Sequence, residues 1–520
     1  MFIRRKPNKT GSVSVQIIDK SQGRYTVLKS FGTGRTESEL SVLEEKARRF
    51  IRERQGLVNS LFPEPLDNHI EDFVSSLSNS QLQVIGPELV FGALYDKIGY
   101  DSIDNGLFRH LVITRLFHPG SKLKTIDYLY RYQGRSYSAD RIYRFLDELC
   151  YRRGKGHKGK PDMKEMVEAV AYAHTRKVTG KTPGIVFYDM TTLYFEACDE
   201  DDLRRTGFSK DGKHHCPQIF LGLLVSMGGN PIGYDIFEGN IFEGHTLIPF
   251  LEKMQSRFGQ KKPVVVADSG LLSKENIRLL EDYGYKYILG ARPKNENAGM
   301  KAKILSLSLK DGDVTFIRRE DNTRLVLSMS GKRAEKDARN REKGLERLQK
   351  RVNSGKLTKS NINNRGYNKY LKLEGDVKIS IDMEKFGQDA LWDGIKGYVT
   401  NTRLSSRQVV ENYGNLWFIE RAFRINKTDL RIRPIYHRLR NRIEGHICIC
   451  FTAYTILLEL ERILKKAKSG ITINKARELV RNMYRLTYRL PATGRTGETV
   501  LKMDSEQEEL VELVQKWIRK

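Results

Sequence analysis

Two aspartates in this sequence stand directly after short apolar runs, a position from which a carboxylate can do chemistry. Asp189 follows the run GIVFY at 184–188, and Asp268 follows the run VVVA at 264–267. Such runs are typical of buried strands, and in an open α/β sheet the catalytic groups gather outside the strand ends. A carboxylate is costly to bury unpaired, so each should reach solvent or bind a cation. Either aspartate alone could cap a turn, but the two together predict a site.

A glutamate much further along the chain is the third candidate. Glu420 lies in YGNLWFIERAFRINK at 413–427, seven residues after Tyr413 and seven before Lys427. If this stretch is one helix, seven residues make nearly two turns, and the three side chains form one stripe. The plainer interpretation is a surface ion pair between Glu420 and Arg424, which contributes roughly a few tenths of a kcal/mol.

A basic field around and beyond this glutamate indicates a class of substrate. It is opposed in this stretch only by Asp429, and it consists of Arg421, Arg424, Lys427, Arg431, Arg433, Arg438, Arg440 and Arg442. Three carboxylates held together repel one another unless cations lie between them, and Mg²⁺ prefers such oxygen ligands. Two ions ~4 Å apart can activate a water or a 3′-hydroxyl and stabilise the leaving oxygen of a phosphodiester. The sequence therefore predicts phosphodiester chemistry, with lysines and arginines on the DNA backbone.

The composition favours a nucleic-acid partner. The chain has 520 residues, a formal charge of +27 and 39% hydrophobic residues, so we expect several globular domains and a strongly positive field. Such a field attracts polyanions, with nucleic acid as the first partner to consider and a membrane surface as the weaker one. No apolar run approaches the ~20 residues of a membrane span, and the start of the chain lacks the apolar core of a signal. Five cysteines without CxxC spacing favour a reducing cytoplasm over a disulfide framework or a zinc module.

The pattern of the remaining residues predicts the elements that position these groups. Residues 12–32 alternate like a β-hairpin, and a helix capped by Thr36 follows it. Between 184 and 289 the order is strand, strand, strand, helix, strand, helix, strand. About a hundred residues then intervene before Glu420, with strand-like runs around a Lys/Arg-rich stretch at 332–369. We interpret this interval as an insertion with its own sheet and a charged helical arm.

A pair of helices before the strand-rich region could bind DNA. Residues 82–151 have helical spacing, with Gly134 at a join and Ser138 as the cap of the second helix. One hypothesis is a helix-turn-helix whose second helix presents Arg141 and Arg144 to DNA. The other is an ordinary helical bundle in which these arginines form a solvated face.

Other polar groups could imitate a functional site. The HHC sequence at 214–216 suggests zinc, but no second ligand pair stands at the spacing that zinc sites use. The acidic run at 199–202 could bind a cation, although such runs are usually solvated loops. Glu196 could replace one member of the acidic trio. Trp417 could stack on a base, although packing in the core is its commoner role.

The last helix resembles a known family. The chain is similar to the DDE transposases of bacterial insertion sequences, in the group defined by a Tyr-x2-Arg-x3-Glu-x6-Lys motif. Tyr413, Glu420 and Lys427 match this motif, whereas Leu416 stands where the arginine is expected. The residues that could supply the missing charge are Arg421 and Arg424.

The resemblance extends over roughly residues 180–450. The other segments that resemble the family are YDMTT around Asp189, GFSKDGKHHCPQ at 207–218, EGN at 238–240 and VVADSG around Asp268. The resemblance implies an α/β protein with an RNase H-like mixed-sheet catalytic core, which a β-rich insertion interrupts, and a mostly helical N-terminal region.

The resemblance also implies roles for individual residues. Asp189, Asp268 and Glu420 would bind two Mg²⁺ ions, for which Mn²⁺ can substitute, and form the catalytic site. The residues expected to contact DNA are Tyr413, Lys427, Arg421, Arg424, Arg431, Arg141 and Arg144. The expected segments are a β-hairpin region at 1–45, a helical region that binds DNA ends at 46–178, the first part of the core at 179–295, the β-rich insertion at 296–402, the rest of the core at 403–465 and a helical tail at 466–520.

The implied function is DNA transposition. We expect cleavage of double-stranded DNA at terminal inverted repeats and transfer of the 3′-hydroxyl into target DNA, by a homodimer in a synaptic complex. It would act in a prokaryotic cytoplasm, at the nucleoid and away from membranes. Two alternatives stay open: an RNase H-like metal-dependent nuclease without strand transfer, and a catalytically dead DNA-binding regulator.

Overall fold

A computed structural model describes most of the chain. The described residues are 1–8, 11–20, 24–54, 65–150, 162–196, 199–207, 215–241, 243–259, 262–355, 357–363, 365–374, 378–490 and 493–519. Their contacts group the chain into two units. The first is Met1–Gln81 with Thr487–Thr499, and the second is Leu82–Leu486 with Val500–Lys520.

The first unit is built on a three-stranded antiparallel sheet in the order β1-β2-β3. Its elements before residue 82 are β1 (Phe2–Pro7), β2 (Val13–Asp19), β3 (Thr26–Gly34), α1 (Glu37–Arg54) and α2 (Pro65–Ser75). The buried apolar contacts between β2 and α1 come from Val15, Ile17, Leu40 and Ala47. The predicted hairpin and helix are confirmed, and the Thr36 hydroxyl accepts a hydrogen bond from the Glu39 amide.

Helices dominate the start of the second unit. Its first elements are β4 (Leu82–Val84), α3 (Ala93–Ile98), α4 (Gly106–Phe117), α5 (Lys122–Gln133), α6 (Ala139–Leu149) and α7 (Met163–Thr179). Gly134 ends α5 with a left-handed φ of 63°, and the Ser138 side chain accepts a hydrogen bond from the Arg141 amide at the start of α6. The predicted pair of helices is therefore confirmed.

The centre of the second unit is a mixed sheet. Its elements are β5 (Ile185–Tyr194), β6 (Gln218–Ser226), β7 (Pro231–Glu238), α8 (Leu247–Phe258), β8 (Val264–Ala267), α9 (Lys274–Asp282) and β9 (Lys286–Ala291). β6 pairs antiparallel with both β5 and β7, whereas β5, β8 and β9 run parallel to one another. This confirms the predicted order of elements and the RNase H-like mixed sheet.

The insertion extends this sheet. Its elements are α10 (Ala298–Ser306), β10 (Val314–Arg318), β11 (Arg324–Met329), α11 (Gly331–Asn353), β12 (Leu371–Glu374), β13 (Lys378–Ile381), α12 (Met383–Ala390) and β14 (Ile395–Thr400). The charged arm is confirmed as α11, but the expectation of a separate insertion sheet is wrong for three of the five strands. The large sheet has the order β10-β11-β14-β9-β8-β5-β6-β7, and only β12 and β13 pair apart from it. The physical reason is that β9 would otherwise be an open edge, and β14 satisfies its backbone groups.

The chain then returns to the core through helices. The remaining elements are α13 (Ser406–Gly414), α14 (Trp417–Arg424), α15 (Arg440–Ala467), α16 (Ile473–Leu479), β15 (Tyr484–Arg489), β16 (Thr496–Val500) and α17 (Ser505–Ile518). Residues 413–427 do not form the single helix on which a common stripe of side chains would depend, because α13 ends at Gly414 and a π-helical turn at Ile425–Asp429 follows α14. The tail, predicted to be helical, also contains two strands.

The long helix α15 lies in the largest apolar core. Twenty of its residues are buried, and α4, α6, α7 and α17 pack around it. Apolar residues on every face of α15 explain this position, since a helix that is apolar all round must be enclosed. In the part of the chain that the structure describes, no helix has the length and apolar character needed to cross a membrane.

Candidate active site

Adjacent parallel strands bring the two aspartates side by side. β5 and β8 pair with Tyr188 opposite Ala267, so the next residues, Asp189 and Asp268, occupy neighbouring positions. Asp189 is half-buried and Asp268 is exposed. The expectation that both stand at strand ends holds only for Asp268, because β5 stays paired with β6 as far as Tyr194.

Tyr413 holds one of these carboxylates in place. Its hydroxyl donates a 2.9 Å hydrogen bond to Asp268 Oδ1, and its ring packs edge-on against Tyr398 of β14, with 4.8 Å between centroids. Gly290 on β9 leaves the necessary room, since a Cβ there would collide with the Tyr413 hydroxyl. Burial, and then the charge of Asp268, raise the pKa of Tyr413, so the phenol keeps its proton and remains a donor.

Short local hydrogen bonds orient both aspartates. Asp189 Oδ1 accepts a 2.8 Å hydrogen bond from the Met190 amide, and Asp268 Oδ1 accepts one of 2.7 Å from the Ser269 amide. The second bond caps the short 3₁₀ turn Ser269–Leu271 that follows β8. The backbone therefore fixes the direction of each carboxylate before any ligand binds.

Glu420 lies on α14, which packs against β5 and β6. The Phe418 ring of α14 contacts Phe187 of β5 edge-on at 6.1 Å, two residues before Asp189. Glu420 is exposed on this helix, and its charge also acts to raise the pKa of Tyr413. The glutamate is therefore close to the site that the two aspartates form.

Sequence reasoning missed one cation of this site, Lys396 on β14. Its Nζ lies 5.8 Å from the centroid of the Tyr413 ring. Burial, and then the charge of Arg333, lower the pKa of Lys396, while Asp268 and Glu420 act in the opposite direction. The effect of both acids shows that the lysine lies near each of them. The only signal in the sequence was its position at the start of a strand-like run.

The position of the motif's arginine is apolar here. Leu416 is 7% exposed and packs in the core. Of the two residues expected to replace the arginine, Arg421 pairs with Glu461 of α15, and Arg424 is exposed at the end of α14. Lys396 instead supplies a positive charge beside the acids.

The basic field has more acidic partners than the sequence suggested. Its ion pairs with acids from elsewhere are Arg438 with Asp199 at 3.5 Å, Arg440 with Asp202 and Glu444 at 3.1 Å each, and Arg442 with Asp147 at 2.7 Å. Acids from distant parts of the chain therefore oppose this field in addition to Asp429, the one acid within the stretch. Two members of the acidic run at 199–202 neutralise arginines of the field.

The other residues expected to contact DNA lie at several places in the second unit. Arg431 is exposed, and Lys427 is half-buried in the π-helical turn after α14. On α6, Arg141 lies over the Tyr137 ring and Arg144 pairs with Asp140; both arginines are exposed.

The groups that could imitate a site are also accounted for. Glu196 is exposed just after β5. Trp417 is 48% exposed, so core packing was the wrong expectation; it stands in the first turn of α14 against the Phe418 ring. Of the HHC sequence at 214–216, His214 lies outside the described residues. Across the described ranges, no three His, Cys, Asp or Glu side chains converge closely enough to hold a metal ion.

The donor chemistry nevertheless fits a hard divalent cation. Asp189 and Asp268 offer carboxylate oxygens from neighbouring strand positions, and Mg²⁺ and Mn²⁺ prefer such ligands. Glu420 adds a third carboxylate from α14, outside any three-membered cluster among the described residues. The structure thus brings the two aspartates together and leaves the glutamate close by.

Comparison with known proteins identifies the central part of the chain. The model of the protein family described as "Transposase DDE domain" matches residues 181–456, which is more than half of the chain. The match begins just before β5 and ends within α15, so it includes both aspartates and the glutamate. No curated protein matches the chain.

Solved structures give looser similarities. A piggyBac transposase synaptic complex with hairpin DNA aligns with a TM-score of 0.37 at 10% identity, over 84% of this chain and 81% of that one. A Mos1 transposase paired-end complex with the left transposon end aligns with a TM-score of 0.15 at 12% identity, over 47% of this chain and 66% of that one. A Mos1 mariner paired-end complex with Mn gives the same TM-score and identity.

Proposed function

The chain belongs to the family of transposase DDE domains, and from this membership we propose that it is the transposase of a bacterial insertion sequence. It cleaves double-stranded DNA at the terminal inverted repeats of the element. It then joins the freed 3′-hydroxyl to target DNA. In the first step a P–O bond to the 3′ oxygen breaks and water adds to the phosphorus; in the second, the 3′ oxygen displaces another strand's 3′ oxygen.

One observation carries the proposal. Asp189 and Asp268 hold neighbouring positions on parallel strands, with Glu420 on the helix packed across β5. We propose that these three residues hold two Mg²⁺ ions, with Mn²⁺ as a substitute. Bound metal supplies activation of the attacking hydroxyl and stabilisation of the leaving oxygen. The fixed carboxylate directions support this role, because ligands that are oriented in advance need little rearrangement.

The remaining residues of the site position the carboxylates and the DNA. Tyr413 holds Asp268 by its hydroxyl, and Lys396 places a positive charge beside the acids, where a scissile phosphate would lie. With Glu420 and Lys427, these residues support membership of the Tyr-x2-Arg-x3-Glu-x6-Lys group. Lys396 would then provide the positive charge of the motif's arginine, which this sequence lacks.

A division of labour along the chain completes the proposal. The helices at 46–178 bind the DNA ends, and the core at 179–295 and 403–465 carries the chemistry. The insertion at 296–402 contributes Lys396, and the segments at 1–45 and 466–520 flank these regions. The proposed DNA contacts are Tyr413, Lys427, Arg421, Arg424, Arg431, Arg141 and Arg144. Two copies act together on the paired ends, in a prokaryotic cytoplasm at the nucleoid.

The test is a cleavage and joining assay on labelled linear DNA that carries the element's own end, with Mg²⁺. We expect wild-type protein to nick at that end and to form joined products. Asp268→Asn and Glu420→Gln should each lower cleavage at least about a thousandfold, because each removes a metal ligand. Glu196→Gln is the matched control, since it neutralises an exposed carboxylate just after β5 and should cleave normally.

Each alternative predicts a different outcome. Cleavage without preference for the element's end and without joining would replace the transposase by a nuclease. Binding without chemistry by the wild type would indicate a DNA-binding regulator. If cleavage survives in Glu420→Gln but is lost in Glu196→Gln, Glu196 would take the place of Glu420 as the third carboxylate of the site.

A further inference from the structure

A cavity of about 690 Å³ with cationic walls opens beside the N-terminus of α5. The segment between α14 and α15 forms its other side, together with the first turns of α15. Its most relevant lining residues are Arg115, Lys122, Arg431, Arg433, Arg438 and Arg442. None of the described residues that line it is an aspartate or a glutamate, although Arg438 and Arg442 pair with Asp199 and Asp147 outside the lining. We call this cavity the cationic pocket.

Two of these cations are deeply buried without an acid. The Lys122 side chain is 5% exposed and that of Arg115 is 4% exposed. Within the described residues, neither forms an ion pair or a hydrogen bond with a carboxylate. Burial, and then the charge of Arg115, lower the pKa of Lys122 to about 7. A buried cation without a partner destabilises the fold, and a bound anion removes that penalty.

Neighbouring groups add further affinity for a phosphate. Ser121 caps α5 by accepting a hydrogen bond from the Lys124 amide, and the N-terminus of this 12-residue helix lines the pocket. Backbone N–H groups and the helix dipole favour negative charge at such a place. Two independent features, the buried cations and the helix terminus, therefore select the same kind of ligand.

His446, on the wall of the pocket, has an unsatisfied ring nitrogen. His446 lines the pocket and donates from Nε2 to the Ile432 carbonyl at 3.0 Å, since burial lowers its pKa and keeps the ring neutral. Its Nδ1 is buried with no hydrogen-bond partner among the described residues. This nitrogen is an acceptor that the described part of the fold leaves unsatisfied.

The size and rim of the pocket indicate a nucleotide. Its volume lies in the range of sites that hold a small organic molecule, well above the needs of a phosphate ion alone. Tyr436 lines it and is 71% exposed, which suits stacking on a base. A phosphate inside a duplex cannot approach cations as deeply buried as Lys122, because the strand continues on both sides of it. A strand end can.

We propose that the cationic pocket binds the phosphate of a nucleotide at the unpaired end of a nucleic-acid strand, with the adjacent base against Tyr436. The site is separate from the carboxylates and does not depend on cleavage. A free nucleotide or polyphosphate offers the same phosphate chemistry, so the experiment must distinguish the two sources.

The first test measures binding of the full chain to a short fluorescent single strand, with and without a 5′-phosphate, in EDTA. We expect the 5′-phosphate to tighten binding at least tenfold, and pyrophosphate to compete. Lys122→Met should abolish the difference between the two strands. Arg131→Met is the matched control, because it removes one charge from the exposed face of the same helix and should keep the difference.

The outcomes separate the possibilities. Equal binding of both strands by the wild type, with no effect of pyrophosphate on its Tm, overturns the proposal. An increase in Tm by pyrophosphate that Lys122→Met removes, without any effect of the 5′-phosphate, assigns the pocket to a free nucleotide or polyphosphate instead. A full 5′-phosphate effect in Lys122→Met places the phosphate elsewhere.

Exposed variants keep the test valid if Lys122→Met fails to fold. Arg431→Gln and Tyr436→Ala change exposed side chains and should leave the fold intact. Each should weaken binding of the phosphorylated strand about tenfold, through a lost charge or a lost stacking surface. Tyr130→Ala is the control for the second variant, since this tyrosine is 65% exposed on α5 and does not line the pocket. If Arg431→Gln and Tyr436→Ala both bind the phosphorylated strand as tightly as the wild type does, the pocket is excluded.

Discussion

Two regions of the second unit bury positively charged side chains, and they differ in whether an acidic side chain lies beside them. Between α7, β7 and α8, Lys164 is 7% exposed and donates to Asp235 at 3.1 Å. Lys253 binds the same carboxylate at 2.8 Å. In the cationic pocket, Lys122 and Arg115 are buried as deeply with no acid among the described residues. The first two cations are therefore neutralised by an acid within the fold. In the described part of the chain, the second two are free of such an acid and suited to bind an anionic ligand.

The first region, which we call the ion cluster, is complete in itself. Its members are Lys164, Glu168, Asp235, Lys253 and Arg257. Burial alone would raise the pKa of Asp235, but the charges of Lys164 and Lys253 lower it to about 2. The fully buried Glu168 pairs with Arg257 and accepts a hydrogen bond from the Tyr234 amide. Every charge in the cluster therefore has an opposite partner inside the protein.

The largest expected effect is on the ion cluster. Asp235→Asn leaves Lys164 and Lys253 without their shared carboxylate, so we expect the free energy of unfolding to fall by about 3 kcal/mol. Asp202→Asn is the control, because the Asp202 side chain is 72% exposed and its pair with Arg440 should contribute less than about 1 kcal/mol. Urea denaturation of both variants measures the difference. Equal losses would mean that the two kinds of pair stabilise the fold alike.

The opposite effect belongs to the pocket and depends on pH. The pKa of Lys122 is about 7 in the folded protein and near 10.5 when exposed, so the unfolded chain binds more protons between these values. The free energy of unfolding of the wild type should therefore increase through this residue as the pH rises from 7 to 10.5. It should decrease again as the pH falls through the same range. The titratable and charged groups around it are Arg115, His437, His446 and Cys450.

Lys122→Met isolates this contribution. In anion-free buffer the variant should be more stable than wild type at about pH 6, and its advantage should shrink toward about pH 10. Thermal unfolding of both proteins across this range measures it. A variant that is less stable than wild type at low pH would show that Lys122 has an internal partner, as the cations of the ion cluster do.

The smallest effect on stability concerns an exposed pair on α6. Arg144→Ala breaks an i,i+4 pair with Asp140 and should change the free energy of unfolding by less than about 0.5 kcal/mol. If α6 faces DNA, the slope of log K against log salt should flatten by about 0.9. Lys516→Ala on α17 removes a similar exposed pair and is the control. An unchanged slope for Arg144→Ala would favour the ordinary bundle.

Local patterns were enough to predict the core of the sheet. The apolar runs before Asp189 and Asp268 are buried strands, and the order of strands and helices between them holds, because alternation and run length are properties of neighbouring residues. The pairing of the insertion's strands with β9 could not be predicted in this way. The pairing of β14 with β9 joins residues about a hundred positions apart, and the residues of neither strand indicate which strand is the partner.

The site was predicted only where it follows from strand positions. The two aspartates lie together because parallel strands align, whereas Lys396 reaches them through the register of β14 on β9. The end of α13 at Gly414 could not be predicted from the sequence either, because the seven-residue spacing fits a continuous helix equally well. The burial of Lys122 could not be predicted from the sequence for a related reason. A lysine among polar residues becomes buried only when distant segments fold over it.

The strand that completes the sheet is also the last of its strands to be made. β9 ends at Ala291 and its neighbour β14 begins at Ile395, so about a hundred residues separate them. At roughly 5–20 residues per second, a ribosome needs roughly 5–20 s to produce that interval. During this time the apolar residues Tyr287, Ile288 and Leu289 stand on an open edge that invites pairing with another chain. Synthesis interrupted within the insertion would therefore release an aggregation-prone fragment, and a chaperone that covers β9 until β14 emerges would raise the yield of active protein.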